Sequence, residues 1–398
     1  MKVLHYTPKF SVMSETFIYD QITGLARQDE LEVKVVTSQL LNLTERPFSN
    51  LDLIPLRFDF HPRVTRKLAF GLEWLPLFLD YKKWKKLLSS YQPEVIHCHT
   101  GHGIKTVIHI LDKLGLDIPI LASLHGSDVT MEPLITKRYR PTLATANQSH
   151  QIYWTVPSAF LKQQAVSKLG LQPENIRVVY NAFNPIFFDK SKGNTLNHFK
   201  ILCIGRFIKC KGQAYLIEAF ANAKKVIPEL SLTLVGQGPE LETCKRLATK
   251  LFVKDCVSFI PYLEHAVIPE VIREHSLYIQ PSLRDRETQQ EESFGVAALE
   301  ALVCGCPVAV SNSGGLPEVV ADIKTPNAYI FEQANAPAIQ NVIQQHFEKN
   351  EILDDVVPAF AADKFSQRRN LAMIEDSYNK LINKLLPSTA RFLIYDPK

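Results

Sequence analysis

With 398 residues the chain is too long for one ordinary hydrophobic core and suits two domains of roughly 150–200 residues each. Apolar residues at 46% and charged residues at 22% exclude a disordered chain, and a net charge of +4 carried by scattered Lys and Arg excludes a nucleic-acid-binding stripe. The seven cysteines form no regular framework and sit in apolar runs, as reduced cytosolic thiols do, and no apolar run approaches the ~18–20 residues of a bilayer span; a soluble, cytoplasmic protein is expected.

The amino terminus "MKVLHYTP" has no apolar core segment or small-residue cleavage site and reads as a first strand. "SETFIYDQITGLARQ" follows as a helix, with Ser14 as its expected cap, Glu15 at its positive end, and Ile18, Ile22 and Leu25 as its core stripe. "LEVKVVTS" completes a βαβ opening. The segment 63–88 mixes Arg and Lys with Trp, Phe and Leu, a composition suited both to lying on an anionic leaflet and to ordinary packing helices with a basic outer face. Further strands are expected at "EVIHCHTG", "PILASLHG", "QIYWTVPS" and "IRVVYN", and alternation of strands with helices implies a parallel sheet. After the polar, unpatterned "DKSKGNTLNH" the alternation restarts. The expected division is a first domain over 1–187, a linker over 188–198, a second domain over 199–372 and a helical tail over 373–398, docked on a domain the pattern does not specify. Each half reads as a doubly wound sheet, in which ligands bind beyond the carboxyl ends of the strands.

The residues just after strands are therefore the ones to inspect. Glu292 and Glu300 stand eight apart in "EESFGVAALEALVCG". With a helix from Ser293 they lie about 12 Å apart along its axis, too far for the ~5 Å carboxylate pair of a retaining glycosidase. That separation suits an extended ligand touched at both ends, with a helix amino terminus aimed at an anion between them. Glu300 sits among residues that ask to be buried, and a buried carboxylate needs partners, such as the hydroxyls of a ribose. In "CIGRFIKCKG", Arg206 and Lys211 are two cations suited to a diphosphate. Gly236 and Gly238 follow a strand, but Leu241 stands where a dinucleotide fingerprint has its third glycine, so they read as a tight turn that lets backbone approach a ligand. His125 and Asp128 follow the strand "ILASLHGSD". His97 and His99 share a strand face with Cys98 and His102 near, yet no carboxylate or CxxC spacing accompanies them, and no Asp-x-Asp pair is present, so no metal is expected.

In this order, "GRFIKCKG", "LVGQGPE", "EESFGVAALEALVCGCPV" and "SGGLPEVV" resemble the retaining glycosyltransferases of family 4 across nearly the whole chain, and "SETFI", "HCHTG", "HGSD" and "VPS" look like its exopolysaccharide, capsule and lipopolysaccharide subgroup. The resemblance implies the GT-B fold: α/β, with two Rossmann-like doubly wound domains facing a central cleft. It implies that Arg206 and Lys211 hold the donor diphosphate and that Glu300 binds the ribose. Glu292 would face the donor hexose, and His125 would contact the sugar from the opposite lobe. Phe294, Gly295 and Val296 would touch sugar and phosphate through backbone amides, and Leu263 would lie near the base. Ser14, Glu15, His99 and Asp128, in the first-half motifs, are expected on the acceptor side. The chain departs from the family at "NAFN" and at "PKFSVMSETF", which takes the place of a glycine-rich loop that often faces the acceptor.

The implied reaction is metal-independent, retaining transfer of a hexosyl group from a nucleotide diphosphate sugar, with a UDP-sugar favoured and no cofactor, to a glycan or lipid-linked acceptor in surface polysaccharide synthesis. A lipid-linked acceptor would reward peripheral contact with the anionic inner face of the cell membrane. Two other readings stay open: a GT-B sugar-nucleotide epimerase, and a non-catalytic nucleotide-sugar-binding partner of a polysaccharide assembly.

Overall fold

The structure, a computed structural model, describes residues 1–44, 46, 48, 51–56, 79–136, 138–188, 199–324, 326–348 and 357–385. Two compact units emerge. Met1–Pro157, Leu161–Tyr180 and the segment from Gln367 form unit 1, and Ser158–Phe160 with Asn181–Ser366 form unit 2. This division departs from the expected one at both ends. The stretch after Tyr180 joins unit 2 because the buried Phe187 packs there, its carbonyl accepting from Cys304 Sγ and from the Arg273 guanidinium. The tail begins at Gln367 rather than 373 and belongs to unit 1.

Unit 1 is a seven-stranded parallel sheet made of β1 (Lys2–Phe10), β2 (Glu32–Leu40), β3 (Asp52–Pro55), β4 (Val95–His99), β5 (Ile120–Ser123), β6 (Ile152–Val156) and β7 (Ile176–Val178), in the order 3-2-1-4-5-6-7. The order reverses between β1 and β4, where His5 pairs in register with His97. Both faces of β4 and β5 are buried, as continuous apolar runs in a covered parallel sheet require. Helix Thr16–Leu25 buries Ile18, Ile22 and Leu25 as its spacing predicts, but Ser14 does not cap it: Glu15 takes the N-cap position without a side-chain hydrogen bond, and Ser14 is exposed. Helix Gln367–Leu385 lays Leu371, Ile374, Tyr378 and Leu381, one helical stripe, into the core formed by Val3, Ile22, Leu25 and Leu121. Polar clasps secure it: Arg177 Nη1 reaches Asp376 at 2.5 Å, and Asn370 Nδ2 donates to the Tyr180 carbonyl at 2.7 Å.

Unit 2 is a six-stranded parallel sheet made of β8 (Lys200–Ile204), β9 (Ser231–Val235), β10 (Val257–Ile260), β11 (Leu277–Gln280), β12 (Val308–Ser311) and β13 (Ala328–Phe331), in the order 10-9-8-11-12-13. Its reversal lies between β8 and β11, so the loops leaving those two strands flank the place where a doubly wound sheet binds its ligand. Helix Val296–Val303 starts three residues later than expected, because Gly295 sits at φ 107°, a left-handed conformation that ends the preceding extended segment. Glu292 is consequently outside the helix and Glu300 inside it.

Candidate functional site

The loops at the reversal point of unit 2 bring Lys211 and Glu292 together. Lys211 follows β8 and Glu292 follows β11, and Nζ of the lysine donates to Oε2 of the glutamate in an ion pair whose side chains are only 20% and 13% exposed. A row of buried polar groups stands behind the carboxylate. Tyr278 OH donates to Gln280 Oε1 at 2.6 Å, Gln280 Nε2 donates to Ser282 Oγ at 3.0 Å, and Ser282 Oγ donates to Glu292 Oε2 at 3.1 Å. Burial holds the Tyr278 phenol well above its ordinary pKa, so it keeps the proton it donates. The main chain is fixed as well: Gly315 N–H donates to the Glu292 carbonyl at 2.9 Å, and the neighbouring Gly314, at φ 59°, approaches so closely that a Cβ there would sit 1.9 Å from that oxygen. A carboxylate in such a setting is tolerable because it is paired and hydrogen-bonded on the same oxygen.

Arg206 leaves β8 directly and is exposed, while its backbone is pinned by Gln213 Nε2 donating to its carbonyl at 3.0 Å and by Phe207 N–H donating to Gln237 at 2.8 Å. The glycine turn after β9 serves this loop: a Cβ on Gly236 would lie 2.1 Å from the Gly205 carbonyl oxygen, so the close backbone approach expected toward a ligand is made toward the arginine loop. Glu300 is 8% exposed, and His265 Nε2, a buried nitrogen without a hydrogen bond, lies 3.8 Å from its Oε1. Leu263 and Val296 are half-buried and Gly295 is buried, whereas the Phe294 ring is wholly buried at 5.6 Å from Phe365 and belongs to the core. Gln280, Ser282 and His265 were not foreseen. The first two had a sequence signal, polar residues at the end of the otherwise apolar strand "SLYIQPS"; His265 had none, since only the fold brings it to Glu300.

In unit 1, His125 follows β5. Its own N–H and that of Gly126 donate to the Asp128 carboxylate at 2.8–3.1 Å. Burial holds the His125 imidazole down to about 3, so the ring is neutral. Asp128 and His99, expected on the acceptor side, are both buried. Asp128 is 4% exposed and its oxygens tie the loop of His125. His99 is 0% exposed, and His125 Nε2 lies 3.4 Å from its Nδ1. Ser14 and Glu15 precede the helix that carries Phe17, whose ring lies 5.0 Å from that of His125.

Two doubly wound parallel sheets, each with polar loops gathered past its strands, define the GT-B class of protein. Residues 14–186 match the model of Glycosyltransferase Family 4 and residues 186–359 that of Glycosyl transferases group 1. The chain belongs to the glycosyltransferase superfamily of GT-B fold. Among curated relatives, the uncharacterized glycosyltransferase YqgM of Bacillus subtilis is 26% identical over 58% of this chain and 62% of its own length, so the chain spans a little under two thirds of that relative. The amylovoran biosynthesis glycosyltransferase AmsK of Erwinia amylovora is 23% identical over 96% of this chain and 97% of its own. The crystal structure of Anabaena HepE in complex with UDP-glucose superposes with a TM-score of 0.73 at 18% identity, covering 96% of this chain and all of that one, a likeness of fold.

Proposed function

We propose that the protein is a retaining glycosyltransferase that moves a hexosyl group from a nucleotide diphosphate sugar, a UDP-sugar, to a hydroxyl of a glycan or lipid-linked acceptor in surface polysaccharide synthesis. The observation that carries this reading is the nearly buried Lys211–Glu292 pair at the reversal point of unit 2, with exposed Arg206 leaving the same strand as the lysine. Support comes from the family domains, from a relative named for amylovoran biosynthesis, and from a structural neighbour that holds UDP-glucose.

In this reading Arg206 and Lys211 neutralise the donor diphosphate, the guanidinium by its fork and the ammonium as a point charge. Glu300 accepts from the ribose hydroxyls and Leu263 lies against the base. Glu292, held by Ser282, orients the hexose and keeps the lysine in place, and the amides of Gly295 and Val296 at the helix start favour the phosphate charge. The bond from the anomeric carbon to the diphosphate breaks, the bond to the acceptor oxygen forms on the same face, and the acceptor proton passes to a diphosphate oxygen. No protein nucleophile is needed. The protein's work is stabilising negative charge that grows on the leaving group, and the two cations supply it without a divalent ion. His125 contributes a hydrogen bond to a sugar hydroxyl.

A thermal-shift series with UDP-, GDP- and ADP-sugars, followed by turnover with Glu292→Gln, tests the reading. A UDP-sugar should raise Tm, and the variant, still folded by circular dichroism though less stable for the loss of its ion pair, should lose about 10²-fold or more in kcat. Absence of a shift with all three donors overturns it.

A further inference from the structure

Four histidines of unit 1 stand in one file. His5 on β1 and His97 and His99 on β4 are 0% exposed, and His125 past β5 is half-buried. His125 Nε2 lies 3.4 Å from His99 Nδ1, His99 Nε2 lies 3.2 Å from His5 Nδ1, and His5 Nε2 lies 3.4 Å from the hydroxyl of Tyr378 on the carboxyl-terminal helix. The file then turns back. Tyr378 OH is 2.7 Å from His97 Nδ1, His97 Nε2 is 2.7 Å from Ser123 Oγ, and Ser123 Oγ is 2.6 Å from Thr155 Oγ1. The rings of His99 and His125 are within 9° of parallel at 5.6 Å, and those of His5 and His99 within 14° at 5.5 Å, separations that suit rings joined edge to edge by in-plane hydrogen bonds. The ligand atoms of His5, His97 and His99 are near enough for an ion, within 4.8 Å of one another, but all six of their ring nitrogens are engaged in this file.

Burial keeps all four rings neutral: His5 and His125 are pushed down to about 3, and His97 and His99 well below the ordinary range. A neutral imidazole has one N–H and one bare nitrogen, so the bond made on one side fixes what the other side can offer. The file therefore admits two proton arrangements, one for each direction. The phenol decides between them. It has one proton and two imidazole nitrogens in reach, and the 2.7 Å contact to His97 Nδ1 is the bond it donates; its oxygen at 3.4 Å then accepts from His5 Nε2–H. His5 Nδ1 is left bare and accepts from His99 Nε2–H, and His99 Nδ1 accepts in turn from His125.

We infer that Tyr378, acting through His5 and His99, sets the tautomer of His125, holding the proton on Nε2 and presenting Nδ1 as a bare acceptor for a ligand hydroxyl. Nδ1 of His125 has no hydrogen-bond partner among the described residues and is not sealed from solvent. Tyr378, His5 and His99 are positioning residues that touch no ligand. Use of the acceptor by a sugar hydroxyl rests on the proposed function; the tautomer does not.

Imidazole ¹⁵N labelling of the full chain, read by long-range ¹H–¹⁵N correlation, separates protonated from bare ring nitrogens. All four histidines should carry the proton on Nε2, and a proton on Nδ1 of His125 in the unaltered chain overturns the inference without any variant. In Tyr378→Phe the ring is kept and the hydroxyl lost, so His5 Nε2 faces an apolar edge. A buried orphan N–H is rarer than an orphan acceptor; His5 and His99 should turn over together and His125 should move to Nδ1–H, with kcat/KM down about tenfold, the loss of one ~1.4 kcal/mol interaction. A folded Tyr378→Phe that leaves His125 on Nε2 overturns the coupling. A flipped tautomer with transfer rate retained keeps the coupling and overturns the contact between His125 and sugar.

Discussion

Removing Lys211 strands the Glu292 carboxylate where, among the described residues, a hydroxyl and, at 3.5 Å, an amide still reach its Oε2. Lys211→Met should therefore destabilise the protein by about 3 kcal/mol, the cost of breaking a largely buried pair. Lys211→Met combined with Glu292→Gln should recover more than half of that loss while remaining inactive, and urea unfolding of the two singles and the double measures it. Additive losses would show that the pair is not a unit. At this scale what the sequence made legible is position: Arg206 and His125 come directly after β8 and β5, and Lys211 and Glu292 lie further along the loops leaving β8 and β11, where a doubly wound sheet gathers its loops. The burial of His99 and Asp128 was not legible, since the same polar side chain at the end of a strand can face solvent or be taken up by its own surroundings. Asp128 spends its oxygens on Gly126 and on His125, a choice made by a turn of three residues.

Among the elements, helix Tyr81–Tyr91 is instructive because the segment 63–88 carried two readings, and residues 57–78 lie outside the described residues. In the described part Trp84, Leu88 and Tyr91 face the core, with Trp84 5.6 Å from Tyr6, while Lys82, Lys83, Lys85 and Lys86 are exposed. The aromatic side chain is thus spent on packing, and any hold on an anionic leaflet by this helix is electrostatic. Replacing the four lysines with Gln should lower cosedimentation with phosphatidylserine vesicles at low salt, with the difference vanishing near 0.5 M salt as screening shortens to a few ångströms. Binding that survives both changes would assign the attraction elsewhere. Most strands were predictable from their apolar runs, but the two short edge strands β3 and β13 were not foreseen. The docking of helix Gln367–Leu385 was not, because a helix stripe announces that it must be covered without saying by what; Leu371, Ile374 and Tyr378 find their partners more than 190 residues away in Val179, Leu121 and Ile22.

For the whole molecule, the buried histidines tie stability to acidity. His5 has a folded pKa of about 3 against 6.5 unfolded, so between those values the unfolded chain binds the extra proton. Stability therefore rises with pH across that window and is lost on acidification, by about 1.4 kcal/mol per pH unit for each such ring. From pH 7.5 to 5 His5 alone should cost about 2 kcal/mol, and His97 and His99 act in the same direction. A Tm that stays level over this range, with the protein intact, would contradict the neutral buried file. The carboxylates that titrate lower, such as Asp376 beside Lys380 and Arg177, lose their contribution only at still more acid pH.

Unit 1 is assembled from three stretches of chain, and unit 2 lies almost whole between the second and the third. On the ribosome, residues 181–366 emerge as a continuous piece with a finished set of strands, whereas the earlier-made sheet must wait for the stretch beginning at Gln367 before Val3, Ile22 and Leu121 are covered. The half translated first is completed last. Until then its histidine file lacks the phenol that gives it direction, so His125 acquires its settled proton only when synthesis has passed Tyr378.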